Sequence, residues 1–214
     1  GLPADSWPFE RNGGAAGGRE TGQFGRGRPS SWHYSGCTHR DSGRVEKADR
    51  RVTKDAVCEW LVATLDVSRE TLKQLDQFAS MLVAENSQQN LISASTVNNL
   101  WERHIFDSAQ LALHLPGTLN GPMLDLGSGP GLPGLVLAIL RSDDVILVES
   151  RKRRCAFLEE AITALGLSDR VTVECSRLQV IAPRPAGAIV ARAFAPVLEL
   201  LDLARPFSCE DTAW

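Results

Sequence analysis

The 214-residue chain has no excess of positive charge: 23 Lys and Arg stand against 26 Asp and Glu, a net charge of −3. No whole-chain basic field is available to attract a polyanion, so any nucleic-acid contact must come from a local patch. No apolar run is long enough to span a bilayer. The most apolar stretch, Leu132 to Leu140, is short and follows a segment full of Gly and Pro, which excludes a transmembrane helix there. No basic, then apolar, then small-residue sequence opens the chain, so a secretory signal is not expected and the reading is cytoplasmic. The five cysteines are 21, 97, 20 and 34 residues apart, which fits neither a zinc pair nor a compact disulfide framework and points to reduced thiols. A Ser-His-Asp set and a paired-carboxylate arrangement are both missing. What is present is 43% hydrophobic residues, enough to bury the core of one domain with an appendage.

Three segments differ in composition. Residues 1–50 hold 10 of the 18 glycines and almost no aliphatic side chains, so they are expected to be a disordered Gly/Arg-rich arm. Within it, Phe24-Gly25-Arg26-Gly27-Arg28 has the look of a short arginine-glycine RNA-binding segment. His33, Cys37 and His39 are three metal donors without a fourth or a scaffold, and no metal is expected. Residues 51–117 read as a helical subdomain. Ser68 can cap a helix whose apolar positions Leu72, Leu75, Phe78, Ala79, Leu82 and Val83 recur at three and four. A second helix buries Val97, Leu100, Trp101, Ile105 and Leu111, leaves Arg103, His104 and Asp107 as a polar group, and ends at Leu115-Pro116-Gly117. From 118 to 214 the period changes. Residues 123–126, 145–148, 171–175 and 188–191 read as short strands covered on both faces, separated by helices at 152–165 and, after the last strand, 196–204. Strand alternating with helix predicts an α/β fold with a parallel, Rossmann-like sheet.

The most informative segment is Asp125-Leu126-Gly127-Ser128-Gly129-Pro130-Gly131-Leu132-Pro133-Gly134, a strand end, a tight turn and a helix start. Glycine is needed where the backbone must turn sharply and approach a ligand closely, so bulk at Gly127 or Gly129 should abolish binding. Two ligands compete for this loop, because residues 129–134 also satisfy the dinucleotide pattern G-x-G-x-x-G, which keeps an NAD-dependent oxidoreductase as an alternative. Asp125, two residues before the first glycine, would repel a pyrophosphate and suits an ammonium group such as the amino-acid end of S-adenosylmethionine. Pro130 and Pro133 remove N–H donors that a pyrophosphate would want. Glu149, at the end of the next strand, can accept hydrogen bonds from both ribose hydroxyls.

At this point the chain resembles a known family, the class I S-adenosylmethionine-dependent methyltransferases, and within them RsmG, also called GidB, the small-subunit rRNA guanine-N7 methyltransferases. The resemblance is carried by Asn90-Leu91-Ile92-Ser93, by Arg103-His104-Ile105-Phe106-Asp107-Ser108, by the loop from Asp125 to Gly134, and by Ala191-Arg192-Ala193-Phe194-Ala195. It implies a class I methyltransferase core, C-terminally truncated relative to the family, preceded by helical elements. The fourth strand would then be an unprotected edge. It further implies that Gly127 and Leu132 contact the cofactor, that Leu178 and Gln179 border its adenine, and that Arg192 stands beside the cofactor and the incoming RNA. The implied substrate is 16S rRNA or the small ribosomal subunit, and the full-length protein would be monomeric, with no membrane or metal partner. A truncated cofactor-binding or RNA-binding remnant without turnover is the non-enzymatic alternative. Guanine N7 is an exposed lone pair, so positioning would suffice without a general base. The run Arg151-Lys152-Arg153-Arg154 could neutralise phosphates where it faces the cleft.

Overall fold

In a computed structural model that describes residues 52–214, the helical pattern begins with α1 (Lys54–Leu65) and α2 (Arg69–Gln89). The arm expected at 1–50, with the segment at 24–28 and His33, Cys37 and His39, lies outside the described residues. Each of the two helices starts on a hydroxyl that satisfies an otherwise orphaned N–H. Thr53 Oγ1 accepts from Ala56 N at 3.2 Å and Ser68 Oγ from Thr71 N at 3.1 Å. Leu75, Phe78, Ala79 and Leu82 form the buried stripe of α2. Val83, expected in that stripe, is 44% exposed, because one step beyond Leu82 rotates it about 100° off the buried face.

The single helix expected next is broken. A short α3 (Ala94–Val97) gives way to a π-helical stretch at Trp101–Phe106, then α4 (Asp107–Ala109) and a 3₁₀ turn at Gln110–Leu113. Asn98 and Asn99 fall at the break, where their amide side chains compete with the helical backbone.

The second half is a four-stranded parallel sheet of order β3-β2-β1-β4, with β1 (Met123–Leu126), β2 (Val145–Val148), β3 (Val171–Glu174) and β4 (Ala188–Ala191). Helices α5 (Gly134–Leu140) and α6 (Lys152–Ala164) cross between β1, β2 and β3, and α7 (Val197–Ala204) follows β4. This is the parallel, Rossmann-like α/β arrangement expected. Because β2 and β4 leave β1 in opposite directions, a crevice opens at the carboxyl end of β1, where such sheets bind ligands.

Successive strand residues face opposite layers. Met123, Val145, Leu147, Ala188 and Val190 join the apolar cluster under α1, α2, α5 and α6. Leu124, Leu126, Ile146, Val148 and Ile189 join the other face with Leu178, Ala204 and Phe207. Asp125 shares its register with Leu147 and Val190 and therefore points into the α5 layer. Strand β3, expected to be covered on both faces, exposes Thr172 because it is the outer strand. On the other side, Ala213 pairs with the start of β4: Ile189 N donates to Ala213 O at 2.8 Å and Ala213 N to Gly187 O at 3.0 Å. The edge expected to be open is thus partly paired.

Helices α2 and α6 cap each other's carboxyl ends. Gln74 Nε2 donates to Leu165 O at 2.8 Å, Gln77 Nε2 to Ala164 O at 3.1 Å, and Arg153 Nη2 to Gln88 O at 3.0 Å. The expectation of reduced thiols is not met at Cys155 and Cys175, which form a disulfide between the first turn of α6 and the residue after β3. Their separation of 20 residues is one helix-and-strand unit, so the sheet itself brings them together. Among the described residues Cys58 and Cys209 form no disulfide. Among the described residues no helix is long and apolar enough to cross a membrane.

Candidate functional site

The loop after β1 is bent by three glycines in left-handed backbone, Gly127 at φ 69°, Gly129 at φ 56° and Gly131 at φ 91°, a region that side chains with a Cβ enter only at a cost. The buried Ser128 ties it down. Its Oγ donates to Asp125 O at 3.0 Å, its N–H to Val148 O at 3.0 Å, and its carbonyl accepts from Gly131 N at 2.7 Å. A Cβ at Gly127 would lie 2.5 Å from Phe194 Cδ2, and one at Gly134 would collide with the Asp125 carboxylate. The first glycine admits the ring of Phe194. The last allows α5 to start directly on β1.

Glu149, 6% exposed, ends β2. Its Oε2 accepts from Gly129 N at 3.0 Å, and its Oε1 from Ser150 N at 2.8 Å and Arg151 N at 2.9 Å. Arg154 Nη1 lies 3.7 Å from Oε2. The two sequence signals, glycine turn and acidic strand end, are therefore one hydrogen-bonded structure. Beside them is a cavity of about 340 Å³ lined by Gly127, Glu149, Ser150, Arg154, Ser176, Arg177, Leu178, Gln179 and Phe194, among others. A larger cleft of about 680 Å³ lies between α1, α2 and Trp101 and contains none of the loop residues, whereas the smaller one stands at the carboxyl ends of the strands.

Of the residues singled out in the sequence, Gly127, Glu149, Leu178 and Gln179 line this cavity. Gly129 meets it through its N–H bond to Glu149. Leu132 is 2% exposed and belongs to the apolar cluster under the helices. Asp125 is fully buried behind the loop. Its Oδ2 accepts from Gly134 N at 3.1 Å, and its Oδ1 has no hydrogen-bond partner among the described residues. Burial pushes its carboxyl up to about 7, against the hydrogen bonds it accepts and the nearby charge of Arg192.

Arg192 is not among the residues that line the cavity, although its neighbours Ala193 and Phe194 are. Its Nη2 lies 3.0 Å from His104 Nδ1, and its Nη1 makes a long contact of 3.5 Å with Arg103 O. His104 is 8% exposed, and burial, together with the charges of Arg192 and Arg103, pushes its imidazole down to about 4. Burial raises Asp107 and lowers Arg192. The polar group expected on one helix is thus completed by a residue 88 positions later.

Sequence reasoning missed the pairing of Arg154 with Glu149, the ring of Phe194 over Gly127, and Thr96, whose Oγ1 lies 2.9 Å from His104 Nε2. Arg154 was legible in principle, since a cation in the first turn after β2 lies next to whatever ends that strand. Of the basic run, Arg154 alone lines the cavity, Arg153 caps α2, and Arg151 and Lys152 are exposed.

Residues 71–214 match the GidB family, described as rRNA small subunit methyltransferase G. The ribosomal RNA small subunit methyltransferase G of Sphingopyxis alaskensis is 48% identical over 179 residues, 82% of this chain and 76% of the relative. That of Zymomonas mobilis is 45% identical over 170 residues, 76% of each chain. That of Gluconobacter oxydans is 47% identical over 145 residues, 68% of this chain and 73% of the relative.

Proposed function

The chain belongs to the GidB family of rRNA small subunit methyltransferases, and from that premise we propose that it transfers a methyl group from S-adenosylmethionine to N7 of a guanine in 16S rRNA. The observation that carries the cofactor's place is the junction of the two signals: Glu149, at the end of β2, holds Gly129 of the turn by a 3.0 Å hydrogen bond beside a cavity of the right position. The residues fit a nucleoside with a charged tail. Glu149 Oε1 already accepts two backbone N–H bonds, so Oε2, bonded to Gly129 N alone, is the oxygen with room for a ribose hydroxyl; Leu178 and Gln179 form the wall for an adenine, and the Phe194 ring stands over Gly127. When bound, the cofactor supplies an electrophilic methyl on a sulfonium.

The chain's own contribution is binding and alignment. A lone pair on N7 needs no proton removed, so the site requires no base. Asp125 anchors the start of α5 from behind the loop, and Leu132 fixes the turn in the core. Arg154 and Arg177, both at the cavity, provide positive charge where an RNA phosphate would approach. We assign the RNA to the small ribosomal subunit and the protein to the cytoplasm, acting as a monomer. The matched relatives named above are rRNA methyltransferases, which favours S-adenosylmethionine over a dinucleotide at the loop.

The test is calorimetric titration with S-adenosylmethionine and S-adenosylhomocysteine, followed by transfer of labelled methyl to small-subunit rRNA that lacks the modification. Heat with both compounds, label at guanine N7, and at least tenfold weaker binding in Glu149→Ala are expected. Heat with NADH instead, or label on another atom, would refute the proposal.

A further inference from the structure

Arg192 is half-buried at the end of β4, yet among the described residues no carboxylate lies within ion-pair distance of it. The acids whose charges reach it, Asp107 and Asp125, make no hydrogen bond to it. Its short contact is with an imidazole. An arginine has donors only, so His104 Nδ1, 3.0 Å from Nη2, must be the acceptor and carry no proton. The ring proton then sits on Nε2 and is donated to Thr96 Oγ1 at 2.9 Å. Thr96 directs its own hydroxyl proton to Ser93 O at 2.9 Å. The direction is fixed from Arg192 through His104 to Thr96, whose Oγ1 also lies 3.1 Å from Ser93 Oγ. The row joins three separate parts of the chain, the Ser93 turn, the π-helical stretch and the end of β4.

We propose that His104 is a positioning residue of the transfer site: its Nδ1 lone pair, set by the bond from Nε2 to Thr96, aims the Arg192 guanidinium. A neutral partner does this differently from a carboxylate. It fixes the geometry of the cation without cancelling its charge, which stays available to the site. Burial and the two neighbouring cations keep the ring neutral at pH 7. The inference rests on the methyl-transfer reading of the site and on Arg192 belonging to it.

The experiment compares wild type, His104→Leu, His104→Asn, Arg192→Ala and the double variant His104→Leu/Arg192→Ala for transfer to unmodified small-subunit rRNA. Thermal melts establish that each is folded. Loss of a charge-assisted hydrogen bond predicts a fall of about ten- to hundredfold in kcat/KM for His104→Leu. His104→Asn, whose amide oxygen replaces the Nδ1 acceptor, should recover most of it. In the Arg192→Ala background His104→Leu should have no further effect, since it acts through the missing guanidinium. Nitrogen NMR of the imidazole at pH 7 should show the proton on Nε2. Equal losses from His104→Leu with and without Arg192, an Asn variant as slow as the Leu variant while folded, or a proton on Nδ1 would each overturn the proposal. If wild type transfers no methyl to any RNA, the proposed function fails, and the imidazole spectrum with and without Arg192 then decides the positioning role by itself.

Discussion

Asp125 gives the sharpest prediction, because a fully buried carboxyl with one unpartnered oxygen is costly to ionise. Its pKa rises from 3.8 to about 7 in the fold. A group raised in this way contributes stability that is complete below about pH 4, is lost as pH climbs, and levels off above about pH 7. A rise of about three units corresponds to about 4 kcal/mol over the whole range, of which about 2–3 kcal/mol falls between pH 5 and pH 8. Asp125→Asn mimics the protonated acid: its amide oxygen can still accept from Gly134 N, and its NH₂ takes the place of the unpartnered oxygen. Urea unfolding of both proteins at pH 5 and pH 8 isolates the effect, since every other titrating group is common to the two. The wild type should lose about 2–3 kcal/mol relative to Asp125→Asn over that interval. Parallel stability profiles would show that Asp125 titrates normally and that its surroundings are wetter than the geometry implies.

Gly134→Ala places a methyl against the Asp125 carboxylate and 2.5 Å from Leu147 Cδ2. It should cost about 1–3 kcal/mol in urea unfolding, as overpacking of a tight core does, whereas Gly117→Ala, with nothing within 4 Å of the added methyl, should leave the urea midpoint almost unchanged. Opening the Cys155–Cys175 bridge with Cys175→Ser removes a cross-link over 20 residues, worth about 3 kcal/mol on the chain-entropy account. The melting temperature of oxidised wild type should exceed that of the variant, and the difference should vanish under a thiol reductant. Arg141 donates to Asp143 Oδ2 at 2.6 Å and to Pro116 O at 2.8 Å. Arg141→Ala should therefore lower stability by about 1–3 kcal/mol without changing the calorimetric affinity for S-adenosylhomocysteine.

Much of the framework could be read from local pattern. The cap at Ser68, the four apolar strands and the glycine turn each depend on residues close in sequence, whose chemistry restricts the backbone directly. Glu149 was also legible, because the end of the second strand in such an alternation always lies near the turn after the first. The break of the second helix at Asn98 and Asn99 was less so, since its apolar spacing alone is that of a continuous helix. The pairing of Cys155 with Cys175 was misjudged because spacing along the chain says nothing about which side of a helix faces a neighbouring strand.

What the sequence by itself determined is therefore the alternation of elements, the position of the turn and the acid that answers it, all consequences of local propensity and period. The tertiary structure alone decided which layer each strand residue entered. A parallel sheet buried on both faces has no polar alternation to announce its sides, so the burial of Asp125 under α5 became visible only once β1 was registered against β2 and β4. Likewise, nothing local links His104 to Arg192. Their 3.0 Å contact exists because β4 lies next to β1 and its end comes up beneath the π-helical stretch, and that adjacency is a property of the folded sheet.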